Sequence, residues 1–269
     1  MTIPLIDIFK IEEPHLYKIH FARWNRHDQP LEVFIRNRHE WQAWQEYFPG
    51  RNDFNRRYIF SLAQFYHEPE IWLYCGIYEV IKRLPDRYEV KLTETGRSLI
   101  GRLKLYSPYK ERTTRANFER HYAGFEVQEI LREPYTGRRF PGYDDIDLSF
   151  EELESLVKSA RADWMAALEN IKGVYLISDT KTGKRYVGSA YGDHGIWSRW
   201  SAYANSGHGG NVELKALVTD PTLDYCRVNF RFALLEHRSS RTEDKIILDR
   251  ESFWKRVLLT RGDYGLNQN

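Results

Sequence analysis

Sulfur is scarce in this chain: two cysteines and two methionines occur in 269 residues. Cys75 and Cys226 form neither a CxxC pair nor a zinc pattern, and their separation does not suggest a disulfide framework. Long apolar runs are missing too. None approaches the ~20 residues needed to span a bilayer. Met1-Thr2-Ile3-Pro4 lacks a basic region followed by an apolar one, so no secretory signal is read there. Charge of one sign is not in excess. The net charge of +2 says little about a polyanionic partner, because local clustering matters more than the sum. No internal repeat or low-complexity tract is seen. What remains is the expectation of a folded, cytoplasmic protein with no membrane partner, in one large domain or two ordinary ones.

Aromatic residues, by contrast, are abundant, with 8 Trp and 18 Tyr. Core packing accounts for most such rings; stacking on bases is the functional alternative. In the first part of the chain, alternating apolar residues predict strands over 17–23, 31–36, 71–82, 87–92, 99–106 and 125–131. A helix is expected over 38–48, with Trp41, Trp44 and Phe48 on one face. Short strands separated by polar turns suggest a small curved sheet or barrel. Its loops carry Arg112, Arg115, Arg120, Arg132, Arg138 and Arg139, which suit either a solvated surface or phosphate contact. Ser149 with Glu152 forms a capping-box pattern. The helix it starts is expected to run on to Leu168 and to bridge two domains, 1–160 and 161–269.

The second part opens with a strand over 174–178, a turn containing Gly183, and a returning strand over 185–189. Helices follow at 196–204 and 212–218, the latter capped by Asn211 and ended by Asp220-Pro221. A third strand is expected over 225–235 and an amphipathic helix over 242–259. Five short motifs lie along this order. They are Gly173-Val174-Tyr175, Tyr186-Val187-Gly188, Arg199 with Tyr203, Glu251, and Gly265-Leu266-Asn267. Together they resemble the GIY-YIG nuclease superfamily, as does the loop Gly207-His208-Gly209-Gly210-Asn211. The resemblance covers roughly the last third of the chain. Gly76-Ile77-Tyr78 spells the first signature literally. No matching second signature, arginine helix or glutamate follows it in order, so it is read as a core strand of the first domain.

The resemblance implies an α+β protein: a small three-stranded mixed sheet flanked by helices, placed after a strand-rich domain with helices. It also implies a metal-dependent phosphodiester hydrolase acting on double-stranded DNA. Such chemistry needs an activated water, charge stabilisation on the phosphoryl oxygens and help for the leaving oxygen. Tyr175 is the candidate base, with Tyr186 positioning the water or sharing that role. Arg199 offers a planar donor set to phosphate, and Tyr203 orients base or substrate. Glu251 is a hard oxygen ligand for one Mg²⁺ (or Mn²⁺) ion per active site. Each is also readable as an ordinary structural residue, Glu251 as the i, i+4 partner of Lys255. Many members carry a lysine directly after the second signature, where this chain has Ser189. Lys184 is the candidate substitute, and His208 and Asn267 are supporting candidates.

The first domain faintly resembles PUA-like or EVE-like modules through Trp72…Gly76…Glu79-Val80 and Phe125…Glu129-Ile130. That resemblance implies a pocket for a modified or flipped base, with Trp72, Tyr74 or Tyr78 as candidates to line it. The expectation is then a restriction or phage-defence endonuclease, modification-dependent if the base pocket exists. Alternatives are a sequence-specific restriction enzyme, a mobile-element or repair nuclease, and a non-catalytic nucleic-acid binder. One active centre per chain means that cutting both strands takes a second subunit, as in a homodimer, or two successive nicks.

Overall fold

A computed structural model of the chain describes residues 2–192, 195–219 and 222–268, with Tyr264 described in its backbone alone. The protein is mixed α+β, with eight α-helices and two sheets among the described residues. None of those helices is long and apolar enough to cross a membrane. The chain divides into two compact units. One comprises Met1–Asn25 and Gln29–Tyr135, the other Arg26–Asp28 and Thr136–Asn269.

The first unit is built on β1 (Ile3–Pro4), β2 (Tyr17–Ala22), α1 (Pro30–Arg36), α2 (Arg38–Glu46), β3 (Tyr58–Gln64), β4 (Ile71–Arg83), β5 (Tyr88–Leu92), β6 (Leu103–Tyr106), β7 (Arg115–Asn117) and β8 (Glu126–Ile130). The sheet order is β1-β8-β6-β4-β3-β2-β7, with β5 added on β4. β2 and β3 run parallel because the helical pair α1–α2 carries the chain across between them. Both faces of the sheet are apolar. Phe34, Trp41, Leu73 and Tyr88 pack on the helical side, and Phe21, Phe60, Trp72 and Phe125 on the other. This explains why β4 is buried almost without interruption from Ile71 to Tyr78 instead of alternating. Gly76 sits in β4 at φ +114°, where β3 and β4 slip register, so the literal Gly-Ile-Tyr is a bulge in a core strand.

The expected strand at 31–36 is a helix. Pro30 occupies its first turn, where a missing N–H matters least and φ is already set. Leu31, Val33 and Phe34 are all buried there, and fully burying such a side chain contributes about 1.5–3 kcal/mol. The 31-33-35 alternation had concealed that face.

The second unit contains β9 (Asp147–Ser149), α3 (Phe150–Lys158), α4 (Ala162–Glu169), β10 (Ile171–Asp179), β11 (Arg185–Ala190), α5 (Gly195–Ser206), α6 (Val212–Leu217), α7 (Asp224–Asn229), β12 (Phe230–Ser239) and α8 (Asp244–Val257). Its sheet is not the expected three-stranded mixed one. It has four strands in the order β11-β10-β12-β9, and every pairing between them is antiparallel. The capping box forms as expected: Ser149 Oγ accepts from Glu152 N and Glu152 Oε2 accepts from Ser149 N. The helix does not reach Leu168, however. Ala160 at φ +47° separates α3 from α4.

The division between units falls after Tyr135, not near 160. Leu153 and Leu156 of α3 bury their side chains in the same cluster as Trp164, Trp200 and Phe232, which ties α3 to the second unit. The expected strand at 225–235 also needs correction. Its first half is α7, and Val228 lies exposed on it. Arg227 there binds Glu154 of α3 through two nitrogens, at 2.9 and 3.0 Å, a long-range pair that local alternation cannot reveal. The end of the helix at Asp220-Pro221 lies outside the described residues.

Candidate active site

The two signature strands form one hairpin. Tyr175 pairs with Gly188, and Tyr186 with Ile177, so all four side-chain positions share one face. That face packs against α5 through Tyr175, Tyr186, Trp200 and Tyr203. The opposite face carries Val174 and Val187 against Ile247 of α8. β11 is the edge of the sheet, and a cleft of about 1060 Å³ runs along that edge, its walls supplied by α5 and α8.

The α5 wall presents Arg199. Its Nε donates to the Tyr175 hydroxyl at 3.1 Å and its Nη1 to the Gly209 carbonyl at 3.1 Å. Tyr203, one turn further along α5, places its hydroxyl 3.1 Å from that of Tyr175. Tyr175 and Tyr203 are both fully buried. Burial pushes the Tyr175 phenol above its ordinary value of 10, with Tyr186 adding to this and Arg199 opposing it. Burial raises Tyr203 as well, with Tyr175 reinforcing the shift. These two phenols therefore stay neutral and fix the guanidinium. Tyr186 differs from them, because it lines the cleft. The Tyr175 hydroxyl is bonded to Arg199 and Tyr203 and is not part of the cleft lining.

The α8 wall presents Glu251. Ile247, Glu251 and Lys255 recur at four-residue spacing, so they share one side of the helix, with Ile247 buried as the anchor. Glu236 of β12 fixes the same helix by accepting from Arg250 Nε at 2.9 Å and from Trp254 Nε1 at 3.0 Å. Ser189, one residue past the second signature, donates through Oγ to Glu251 Oε2 at 2.6 Å. Lys255 Nζ lies 3.0 Å from Glu251 Oε1. Both Ser189 and Lys255 line the cleft with Glu251. The sequence motifs alone pointed to neither as part of the site; the i, i+4 spacing of Lys255 to Glu251 was the available signal.

Asn267 serves the edge strand. Its Oδ1 accepts from Val187 N at 3.0 Å and its Nδ2 donates to Val187 O at 2.8 Å. One side chain thus satisfies both backbone groups of Val187 on the open edge of β11. Lys184 is not brought to the site. It lies at the hairpin end, where its carbonyl accepts from Asp179 N, and it does not line the cleft. His208 is also outside the lining. Its Nδ1 accepts from Gly210 N at 2.9 Å, and burial, then Lys215, lowers its pKa. The loop around it acts through Gly209, which holds Arg199.

A divalent cation is the group the resemblance implies. Among the described residues no cluster of three His, Cys, Asp or Glu side chains could cage a metal. The cleft instead offers two single carboxylates, Glu213, bound to Gln268, and Glu251, with a hydroxyl beside it. That oxygen set fits a Mg²⁺-like ion whose remaining ligands are water and substrate phosphate.

In the first unit, Trp72 and Tyr74 are core residues, donating to the carbonyls of Ser107 and Thr95. Tyr78, of the three base-pocket candidates, lines a cavity of about 340 Å³ with Phe34, Arg38 and Gln42. Arg115 is withdrawn from phosphate contact: it is nearly buried and bound to Asp53 and to the Tyr47 carbonyl.

Comparison with protein-family models, with curated proteins and with solved structures found no match for this chain.

Proposed function

We propose that this protein is a divalent-cation-dependent DNA endonuclease of the GIY-YIG type, with its chemistry in the second unit and its substrate choice in the first. Its place is in restriction or phage defence. The observation that carries this reading is convergence. Tyr186 from β11, Arg199 from α5 and Glu251 from α8 are far apart in sequence and line one cleft.

Each group has a task suited to its setting. Arg199 is always charged and is preorganised by Tyr175 and Gly209, so it meets a phosphoryl oxygen without reorganising. Tyr186 lines the cleft on the edge strand and is placed to orient the attacking water and, as the phenolate with its own proton already released to solvent, to take that water's proton. Glu251 holds the cation, which when bound supplies charge neutralisation and a more acidic water. Tyr203 acts through Tyr175 and is a positioning residue.

Digestion of supercoiled plasmid tests this reading. Mg²⁺-dependent nicking or linearisation that EDTA abolishes is expected. Unmodified, methylated and glucosylated phage DNAs, run in parallel, separate a modification-dependent enzyme from one that cuts unmodified sites. Binding without cleavage under all these conditions would leave a nucleic-acid binder.

A further inference from the structure

The charged residues that line the cleft are Arg199, Glu213, Glu251, Lys255 and Arg261. The first four are bonded: Arg199 to Tyr175 and Gly209, Glu213 to Gln268, and Glu251 to Ser189 and Lys255. Arg261 is exposed, and among the described residues its guanidinium has neither a hydrogen bond nor an ion pair. Its backbone is fixed all the same. Arg261 bridges to Asn267, Asn267 N donates to the Thr260 carbonyl at 2.8 Å, and Leu266 N donates to the Arg185 carbonyl at 2.9 Å. A planar set of donors is thus held at the cleft without a protein acceptor, a setting that suits phosphate.

The cleft also has an apolar rim. Tyr191, Val212 and Leu248 are exposed large apolar side chains, and all three line it. A phosphate gains nothing from such a rim; the sugar and base attached to it do. Tyr191 is the aromatic one of the three and is 52% exposed, so its ring is open as a stacking platform for a base.

These groups fall in order along β11. Asn267, and with it the segment that carries Arg261, is bound at Val187. Ser189, two residues on, holds Glu251. Tyr191 follows two residues later. At the strand rise of about 3.3 Å per residue, the two flanking points lie roughly 7 Å to either side of Ser189.

We propose that the cleft takes one strand of DNA along the edge of β11. Arg261 binds the phosphate on one side of the scissile one, and the Tyr191 ring stacks on a base on the other side. This rests on the nuclease reading above and adds to it a substrate class: DNA whose strand is opened at the cut, because a base reaches the Tyr191 ring only when it leaves its own stack.

The test is fluorescence anisotropy of the full chain with fluorescein-labelled oligothymidylate in Ca²⁺, over a range of salt. Arg261→Gln should reduce the slope of log affinity against log salt by about 0.7, the loss of one single-strand phosphate contact. Tyr191→Ala should weaken binding by roughly 5- to 150-fold, the range for one lost base stack, and Tyr191→Phe should bind as wild type does. Equal thermal midpoints for all three variants show that the fold is kept. An unchanged slope in Arg261→Gln, or unchanged affinity in Tyr191→Ala, overturns the strand path. Wild-type cleavage of supercoiled plasmid in Mg²⁺ is measured on the same preparation. Cutting by wild type, together with unaltered binding by the variants, overturns the path and leaves the nuclease reading standing. A wild-type chain that neither cuts nor binds removes both.

Discussion

Gly188 lies directly beneath the ring of Tyr175. A Cβ built on it would fall 2.5 Å from both the Cζ and the hydroxyl oxygen of that tyrosine. The second signature therefore needs glycine so that the first signature's tyrosine can lie flat in the core and reach Arg199. Gly173 admits a different close approach, that of β12, where a Cβ would meet the Glu236 carbonyl at 2.3 Å. Gly188→Ala is expected to destabilise the second unit by about 1–3 kcal/mol, the usual effect of overpacking. It should also lower cleavage, because Arg199 loses its fixed partner. Thermal or urea unfolding measures the first effect, and an unchanged midpoint would contradict the packing argument.

The two signature tyrosines should separate in kinetics. Tyr186→Phe removes the signature phenol that lines the cleft and is expected to reduce the single-turnover rate by about 10²–10⁴-fold, the range for a general base. Tyr175→Phe removes only a partner of Arg199 and should reduce it by roughly tenfold, with the pH–rate profile unmoved. A deeper loss in Tyr175→Phe, with an altered profile, would return the proton-transfer role to Tyr175.

Asn267→Ala leaves the N–H and carbonyl of Val187 without partners on a fully buried residue. An unsatisfied buried group costs about 1–3 kcal/mol. Loss of hydrogen-exchange protection at the Val187 amide is the direct readout, and retained protection would show that the edge of β11 does not depend on Asn267.

The first unit carries its own pH dependence. His20 is buried with Nδ1 2.7 Å from Gln45 Oε1, and Gln45 Nε2 donates to the Trp41 carbonyl. The ring N–H is thus the donor to Gln45. Burial is the largest influence on this imidazole and lowers its pKa from 6.5 to about 4, against the opposing hydrogen bond to Gln45. Between those values the unfolded chain binds a proton that the folded chain does not. Stability is therefore full above pH 6.5 and declines as pH falls toward 4, by up to about 3 kcal/mol from this group. Denaturant titrations at pH 7 and pH 4.5 should show a smaller decline for His20→Asn than for wild type. Parallel declines would contradict the assignment.

The hairpin, the capping box at Ser149 and the Asn211 cap of α6 rest on local rules, and all three form. Leu31–Arg36 and Tyr225–Asn229 fold as helices because their apolar positions satisfy two periodicities at once. Pro30 at a helix start and the Arg227–Glu154 pair decide the outcome, and the second of these is a long-range contact. The motif order brought Tyr186, Arg199 and Glu251 to one cleft. It could not tell which tyrosine lines the cleft, because both lie on the face that α5 covers and the difference comes from Tyr186 being on the edge strand. Nor could it show Ser189 and Lys255 on Glu251, since Ser189 and Glu251 meet only through the packing of α8 on the hairpin.

The nuclease mechanism proposed above turns on Glu251 as the holder of the cation. The most direct measurement compares Glu251→Gln with wild type, in Mg²⁺-dependent single-turnover cleavage and in binding to the same duplex in Ca²⁺. Cleavage should fall by at least ~10³-fold, the scale expected when an essential charge-stabilising group is lost, while duplex affinity changes little. Cleavage by Glu251→Gln at the wild-type rate would rule out this role for Glu251.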